Sequence, residues 1–402
     1  MSYNVSQLGD YTKENADLLL ANVVSKGVTI DRIKAKGNIR PDIKSAEAIG
    51  IIETDAVFQD GSDCGFNASG TTTISQRKIE VAEIKVNEAF CQKDLNKKFT
   101  QLALPKGSTY DTLAFEQDIV EGKTNTINFQ NEKAVWRGDK NSGVHYLNKF
   151  DGFLKQMFAD PTTKAFNIRV GKGTISATNS DPTVTGIGTE FTKWVAIGDK
   201  VYSGTTLLGT VDSVTNDTSL ELAANAAATV SGTIWASVPS DSLFFTSPKT
   251  AATDKSNILA LIDDLYLMIP EDSVFAPDQS PVFYMGVDDA KALKVAMKNA
   301  NLYHYPANMK VDDLASFIIP GIELECQPTP GLSKTGYIVV TRDKNLFLGT
   351  DMEDEENKVD LWYNKDEQEM RLNINWKMGV QYAFGKEIAI YRRLAVSGGA
   401  YV

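Results

Sequence analysis

The longest regular alternation of apolar and polar positions lies near the C-terminal end of the chain. Apolar residues occupy every second position from Met370 to Phe384, and polar residues or glycine fill most of the positions between them. A period of two is typical of a strand with one buried face. A strand of about 15 residues would be roughly 50 Å long, far beyond the usual five or six residues.

A second long pattern, over residues 108–137, has the spacing of a helix. Ser108 or Asp111 can cap the start, and Gly138 can close the end. The pattern predicts a rod of roughly 35 Å. The positions that approximate its single apolar face are Leu113, Phe115, Ile119, Thr126, Ile127 and Ala134.

Residues 46–90 predict a long two-stranded excursion. Apolar positions from Ile51 to Phe58 are followed by a turn-rich tip at 61–70 and a returning run from Ile79 to Val86. The return alternates in steps of two with one slip, which indicates a bulge. Because an isolated hairpin is marginally stable in water, we expect it to pack on a neighbour. Residues 1–45 are mostly polar and predict an arm that another subunit orders.

Composition changes twice along the middle of the chain. Residues 166–240 are rich in Gly, Thr, Ser, Val and Asn, and short alternating runs are separated by turn signals. This pattern predicts an all-β module of about six short strands, inserted between segments of different composition. Residues 255–350 return to a mixture of helical and strand patterns.

The charge balance narrows the classes of partner. The 402 residues carry a formal net charge of −11, with 42% hydrophobic and 23% charged residues, as in globular proteins. A sequence-reading nucleic-acid binder needs a basic face, and an anionic membrane surface attracts basic proteins, so both partners are disfavoured. The sequence shows no secretory signal and no apolar run of about 20 residues, so we expect no membrane span.

Residues that usually carry chemistry are sparse. The cysteines Cys64, Cys91 and Cys326 are far apart, and the two histidines, His145 and His304, stand in no ligand or catalytic motif. The acidic run 351–356 lacks the order of a calcium loop and is interpreted as a solvated loop. We therefore predict no enzyme activity, no catalytic residues, no metal site and no cofactor.

Two stretches of sequence carry a family resemblance. Residues 134–157, AVWRGDKNSGVHYLNKFDGFLKQM, place a Gly-Asp pair before a Phe-Asp-Gly turn, and residues 371–392 read RLNINWKMGVQYAFGKEIAIYR. Both resemble segments of the major capsid proteins of tailed bacteriophages, which share the Hong Kong 97-type fold, and those of crAss-like phages are the most similar. Residues 171–236 resemble a β module of phage structural and fibre proteins.

This resemblance implies an α+β fold of the Hong Kong 97 type with an inserted all-β domain. The implied parts are an N-terminal arm at 1–45, an extended loop at 46–90, a peripheral domain with a spine helix at 91–165, the inserted all-β domain at 166–245, an axial domain at 246–350, and a return to the peripheral domain with the long strand at 351–402.

The implied function is that of a major capsid protein. It would self-assemble into hexamers and pentamers around double-stranded DNA in the virion, after assembly in the host bacterial cytoplasm. Portal and auxiliary or head-fibre proteins are further expected partners, DNA contact would be non-specific, and no membrane is involved. The founding member of the family crosslinks its subunits through lysine and asparagine, but nothing marks Lys78 as reactive, so we expect no crosslink.

Six apolar residues in the arm and the extended loop are predicted to form the interface between subunits. Alternatively, the same six residues belong to the internal core of one subunit. Two other functions fit the same patterns: an encapsulin-type protein compartment, and a phage tail or fibre adhesion protein whose β module binds a ligand. The candidate interface residues are Leu18 and Leu19 in the arm, and Phe58, Phe66, Ile79 and Val81 in the extended loop.

Overall fold

The computed structural model divides the chain into two compact units, each built from separate segments. Unit 1 comprises residues 1–156 and 344–384, and unit 2 comprises residues 157–343 and 385–402. The residues that the structure describes are 27–54, 57–58, 69–91, 112–160, 162–204, 206–238, 255–269, 280–300, 314–351, 359–364, 366–367 and 369–395.

Helices and strands alternate in long blocks. The α-helices of the described residues are α1 Val28–Ala35, α2 Thr112–Arg137, α3 Phe153–Ala159, α4 Phe191–Trp194, α5 Ile258–Met268 and α6 Val287–Asn299. The strands are β1 Ile39–Arg40, β2 Ala46–Thr54, β3 Thr72–Glu80, β4 Ala82–Cys91, β5 Lys164–Val170, β6 Thr174–Ala177, β7 Thr183–Ile187, β8 Lys200–Ser203, β9 Thr206–Asn216, β10 Ser219–Leu222, β11 Val230–Thr233, β12 Trp235–Val238, β13 Val282–Gly286, β14 Phe317–Ile318, β15 Glu325–Thr329, β16 Ile338–Thr341, β17 Leu346–Asp351, β18 Val359–Asn364, β19 Glu369–Tyr382 and β20 Ala389–Ala395. Short 3₁₀ turns cover Pro330–Leu332, Asp343–Asn345 and Gly385–Glu387.

The long strand β19 organises the sheet of unit 1. It spans 14 residues, which confirms the strand that the alternating run predicts. One side pairs antiparallel with β4 over ten residues, and the other side pairs first with β18 and then with β17. Short β1 continues the sheet beyond β17. The buried side chains of β19 are the even-numbered residues, including Leu372, Ile374 and Met378, as the period of two requires.

The predicted two-stranded excursion is a hairpin of β2 and β3, which pair over nine residues from Ala46↔Glu80 to Thr54↔Thr72. The predicted bulge in its returning strand is wrong. The slip in the alternation falls at Val81, where the chain leaves β3 and enters β4, and β4 pairs with β19 instead of β2. A change of partner strand, and not an extra residue within one strand, therefore resets which side chains face inwards.

A pair of glycines makes room for the root of this hairpin. Gly349 of β17 and Gly379 of β19 are direct partners in the ladder. A Cβ atom on Gly379 would lie 1.9 Å from the carbonyl oxygen of Glu80, and one on Gly349 would lie 2.9 Å from Cδ1 of Ile79. Only glycine lets the backbone at the end of β3 approach the sheet this closely.

The long helix α2 starts at Thr112, inside the predicted range 108–137, and ends at Arg137 as predicted. Residues 108–111 lie outside the described residues. Near its end, Glu132 is 2% exposed and accepts hydrogen bonds from the backbone nitrogen and the hydroxyl of Thr29, at the start of α1. Trp136 donates its Nε1 proton to the same hydroxyl at 2.7 Å. Helix α1 is thereby fixed to α2.

Part of the predicted arm packs on its own chain. Ile30 and Ile33 of α1 and Ile43 are at most 3% exposed, so residues 28–43 are held within unit 1. The sequence-based expectation overlooked these three isoleucines as core positions. Residues 1–26, with the candidate interface residues Leu18 and Leu19, lie outside the described residues.

The motif that resembles phage capsid proteins forms a compact turn after α2. The backbone nitrogen of Gly152 donates to the oxygen of Gly138 at 2.8 Å, and a Cβ on either glycine would overlap backbone atoms of the opposite segment. Lys155 bridges Asp139 and Asp151 at 2.7 and 2.8 Å. The Gly138-Asp139 and Asp151-Gly152 pairs therefore hold the two ends of this turn together.

Unit 2 contains one continuous path of hydrogen-bonded strands. Its order is β11-β6-β7-β10-β9-β8-β12-β5-β20-β16-β13-β15-β14. Seven of these strands, β6 to β12, fall in the range 166–245 for which the sequence predicts about six. The helices α5 and α6 contribute their apolar faces to the core of the mixed α/β part.

Strands β8 and β12 belong to two cores at once. Val201 and Trp235 face a core formed by the β-rich strands, whereas their neighbours Tyr202 and Ala236 face the core with α5 and α6. Alternating side chains of a strand point to opposite faces, so each strand serves both cores. The separation of residues 166–245 as an inserted domain therefore stays a prediction.

The predicted domain boundaries and the two units divide the chain differently. The segment 351–402 was predicted to return as a whole to the peripheral domain. In the structure β19 lies in unit 1, whereas β20 lies in unit 2 between β5 and β16. The division into peripheral and axial domains stays a prediction.

Candidate functional site

The distal part of the β2–β3 hairpin exposes an unusual set of large apolar side chains. Ile52 and Ile74 are 63% and 77% exposed, and they are direct partners in the ladder, so they lie side by side on one face. Val57 and Phe58 follow on the same excursion, and Phe58 is 99% exposed. We call these four residues the hairpin patch.

The opposite face of the hairpin is buried in the same chain. Ile49 and Ile51 are 5% exposed and Ile79 is fully buried, and they pack together with Ile43 and Ala383. Two faces of one hairpin therefore differ: the inner face is covered within unit 1, whereas the hairpin patch is not. Single exposed apolar residues are ordinary, but several on one extended segment indicate an interaction surface.

Polar contacts hold the root of the hairpin against unit 1. Arg77 donates from Nε to the oxygen of Ala383 at 2.7 Å, and its guanidinium lies 4.5 Å from the ring centre of Tyr382. Glu80 pairs with Lys78 and Lys140 at 3.2 and 3.3 Å, and hydrogen bonds from these two lysines lower the pKa of Glu80. These contacts therefore attach the base of the hairpin that carries the hairpin patch to the rest of unit 1.

The structure treats the predicted interface residues differently. Phe58 is almost fully exposed, Val81 is partly buried against the isoleucine cluster, and Ile79 is completely buried within its own chain. Ile79 therefore has no exposed surface for contact with a neighbouring subunit. It lies in the internal core, as the alternative prediction expects. Leu18, Leu19 and Phe66 lie outside the described residues.

Sequence reasoning missed Ile52 and Ile74 as surface residues. A signal was present, because Ile51 and Ile52 are adjacent and a strand must point them to opposite faces. The pattern does not say which of the two faces outwards. That choice depends on the packing against Ala383, which is distant in the sequence.

Groups that carry chemistry do not gather in the part of the chain that is described. Within it, no set of three or more His, Cys, Asp or Glu side chains could hold a metal ion. Cys326 is fully buried in the core of unit 2, and burial raises the pKa of its thiol, so it is not a thiolate nucleophile. Lys78 is exposed and pairs with Glu80, and the absence of a covalent crosslink stays a prediction. Of the helices in the described ranges, none is both long and apolar enough to cross a bilayer.

Comparisons give structural neighbours but no family assignment. No family model matches the chain, and no curated protein matches it significantly. Solved structures that resemble it include phage and GTA capsids. A chain of "Satellite phage P4 procapsid including size determination (Sid) protein" is 11% identical with a TM-score of 0.48, covering 98% of this chain and 93% of that chain.

Two further neighbours are similarly distant. A chain of "Cyanophage A-1(L) capsid asymmetric unit" is 9% identical with a TM-score of 0.45, covering 91% of this chain and 92% of that one. A chain of "Capsid of empty GTA particle computed with C5 symmetry" is 10% identical with a TM-score of 0.42, covering 90% of both chains. With TM-scores below 0.5, none of these likenesses carries a function over to this chain.

Proposed function

We propose that this chain is a major capsid protein of a tailed bacteriophage, with the Hong Kong 97-type fold, that self-assembles into a shell. The observation that carries the proposal is the hairpin patch. Ile52, Val57, Phe58 and Ile74 are exposed apolar side chains on one hairpin excursion, and Ile52 and Ile74 are direct partners in its ladder. Burial of such a surface against a second copy would supply association free energy, at about 25 cal/mol per Å².

The order of the elements along the chain supports the same proposal. The extended hairpin β2–β3, the long helix α2 and the long strand β19 follow one another in the order that the sequence resemblance implies. The compact turn between Gly138 and Gly152 falls where the resemblance places the Gly-Asp and Phe-Asp-Gly motif. The specific likeness to crAss-like phages rests on the sequence wording only.

The finer parts of the proposal follow from the capsid function. Hexamers and pentamers of the chain would tile an icosahedral shell around double-stranded DNA, assembled in the bacterial cytoplasm. The net charge of −11 suits a wall that packaged DNA touches only non-specifically. Portal and auxiliary or head-fibre proteins are the further partners proposed, and the function is structural rather than enzymatic.

Assembly of matched variants tests the proposal. Ile74→Thr removes apolar surface from the hairpin patch but keeps a β-branched residue in its strand. Ile187→Thr is the control, because Ile187 is 79% exposed, also lies in a strand, and belongs to unit 2. We expect the purified wild type and Ile187→Thr to form closed shells by electron microscopy. Ile74→Thr and Phe58→Ser should keep their thermal unfolding transitions but remain as small oligomers.

The outcomes separate the rival functions. Shells that contain DNA in infected cells support the capsid, whereas shells filled with protein favour the encapsulin-type compartment. A wild-type chain that stays monomeric at high concentration and binds a glycan would overturn both and favour the adhesion protein. If Ile74→Thr assembled as well as the control, the hairpin patch would have no role in assembly.

A further inference from the structure

A buried carboxyl group joins helix α1 to helix α2. Glu132 of α2 is 2% exposed, and both of its oxygens accept a hydrogen bond from the backbone nitrogen of Thr29 at 3.2 Å. The hydroxyl of Thr29 donates to the same carboxyl group and accepts a hydrogen bond from Nε1 of Trp136. A Cβ atom on Gly27 would lie 2.6 Å from Oε2 of Glu132, so the residue before α1 also lies against this group. The first turn of α1 is therefore fixed to α2 mainly through one side chain.

The charged groups around Glu132 do not neutralise its carboxyl group. Asp31 of α1, whose field acts on Glu132, is itself an acid. Among the described residues, no cation forms an ion pair with Glu132. A buried charge without a counterion is unfavourable, so ionisation of Glu132 weakens the contact between the two helices. The other charged residues on α1, on the last turns of α2 and on β17, which packs against α1, are Arg32, Lys34, Lys133, Arg137 and Asp351.

Helix α1 ends at a turn that separates its contacts from those of β1. The turn contains Gly37, which is exposed, has a φ of +72° and would have no atom within 4 Å of an added Cβ. Beyond this turn, Asn38 donates from its side chain to the oxygen of Leu346 at 3.1 Å, and β1 pairs with β17. The buried apolar residues of α1 are Ile30 and Ile33. Because α1 and β1 are held by different contacts, α1 is able to separate from α2 while β1 stays paired.

Separation of α1 changes the proton affinity of Glu132. In the closed form, burial raises the pKa of Glu132 to about 7, and the charge of Asp31 acts in the same direction against the hydrogen bonds from Thr29. In the open form water reaches the carboxyl group, and its pKa returns to the ordinary value of 4.5. The protonated closed form is therefore favoured fully below pH 4.5, and this advantage is lost as the pH rises through 7. At higher pH both forms are ionised and the balance between them no longer changes.

We propose that helix α1 is a latch that opens when Glu132 ionises, and that it turns about Gly37 while β1 and the rest of unit 1 stay folded. An open latch turns residues 27–36 into about 35 Å of extended chain. The N-terminal segment that precedes Gly27 thereby gains reach as the pH rises. The inference goes beyond the proposed shell function and does not depend on it.

Hydrogen exchange of the full chain, measured by mass spectrometry from pH 5 to pH 8, tests the latch. Rates for the amides of residues 28–36 are corrected for the intrinsic pH dependence of exchange, which gives protection factors. In the wild type these factors should fall on the order of 50-fold over this range, with most of the fall below pH 7. Amides of β19 should stay at least about tenfold better protected than those of α1, because α1 opens without the rest of unit 1.

Three variants assign the response to Glu132. Glu132→Gln keeps an oxygen that accepts hydrogen bonds from Thr29 but does not ionise, so its protection factors should not change with pH. Asp31→Asn removes the like charge and lowers the pKa of Glu132, so the fall should end at a lower pH than in the wild type. Glu47→Gln, at an exposed position of β2, is the control and should match the wild type.

The proposal is overturned if the protection of α1 in the wild type does not depend on pH, or if Glu132→Gln shows the same fall. Equal protection of α1 and β19 would also overturn it, since α1 would then open only together with the whole unit. An Asp31→Asn protein whose fall ends at the same pH as in the wild type would show that another group controls α1.

Discussion

At the scale of single residues, two glycines decide how the hairpin meets the sheet of unit 1. Gly349 and Gly379 are partners in neighbouring strands, and each occupies the place where a side chain would collide with the end of β3. The obstacles differ in kind. Gly379 faces the backbone of Glu80, which cannot move without displacing the strand, whereas Gly349 faces the flexible ends of Ile43 and Ile79.

We expect Gly379→Ala to lower the free energy of unfolding by roughly 3 kcal/mol, as overpacking against backbone does. Gly349→Ala should cost less, because side-chain ends can shift. Gly50→Ala is the control, since a Cβ there would have no atom within 4 Å. Urea unfolding of the three variants measures the order. A Gly379→Ala protein as stable as Gly50→Ala would show that Glu80 does not approach the sheet as described.

Residue-scale features were only partly predictable. The exposure of Phe58 follows from its place near a turn-rich tip, and the sequence predicts it as a surface contact. Burial of Ile79 could not be foreseen in the same way. Its side chain is covered by Ile43 and Ala383, which lie far away in the sequence, so no local pattern records the contact.

At the scale of elements, helix α1 depends on a carboxylate from another helix. Its N-cap residue, Gly27, makes no side-chain cap, and Glu132 of α2 accepts the backbone hydrogen bond of Thr29 instead. Burial raises the pKa of Glu132 to about 7, opposed by the hydrogen bonds from Thr29 and reinforced by the nearby charge of Asp31. The carboxyl group of Glu132 therefore changes its charge near neutral pH.

This raised pKa predicts a pH-dependent stability. Glu132 keeps its proton in the folded chain up to about pH 7, whereas in the unfolded chain it ionises near its ordinary value of 4.5. Its contribution is complete below pH 4.5 and is lost as the pH rises through 7. Relative to Glu132→Gln, the wild type should lose on the order of 3 kcal/mol over that range.

Chemical unfolding at closely spaced pH values measures the difference between the two proteins. Glu47→Gln, at an exposed position of β2, is the control and should follow the wild type. Parallel stability curves for the wild type and Glu132→Gln would contradict a protonated Glu132 at the start of α1.

Elements with a long internal period were the most predictable. Strand β19 repeats one alternation over many residues, so the pattern identifies it without knowledge of its partners. The predicted apolar face of helix α2 is only partly correct: Ile127 and Ala134 are buried, whereas Thr126 is exposed and the polar Glu132 is buried in its place. The break between β3 and β4 was not predictable from such a pattern. The break is defined by a change of partner strand: β3 pairs with β2, whereas β4 pairs with β19. In the sequence, this change produces the same slip in the alternation as a bulge does.

At the scale of the whole molecule, each unit is assembled from segments that are distant in the sequence. Residues 344–384 complete unit 1, and residues 385–402 return to unit 2, where β20 pairs with β5 on one side and β16 on the other. A β-rich range that looks separate by composition shares strands β8 and β12 with the α/β core. Composition therefore cannot give the boundaries of these units.

The net charge predicts how assembly responds to salt. Subunits that each carry a formal charge of −11 repel one another, and the repulsion extends to about 30 Å at 0.01 M ionic strength. We expect the rate of assembly, followed by light scattering, to rise about tenfold between 0.01 and 0.5 M salt. Phe58→Ser should stay slow at every salt concentration. A rate that falls with added salt would indicate that opposite charges, and not apolar burial, drive association.

The pairing of β4 with β19 has a consequence for synthesis on the ribosome. The partners in this ladder are separated by 278 to 296 residues along the chain. Translation at roughly 5–20 residues per second leaves β4 without its partner for tens of seconds, and such long-range pairing is slow to form. During that interval β4 is an unpaired strand that any other strand could join. Glu83, Lys85 and Asn87 alternate along β4, so one face of the strand carries charged or polar side chains. These side chains discourage premature pairing between nascent chains.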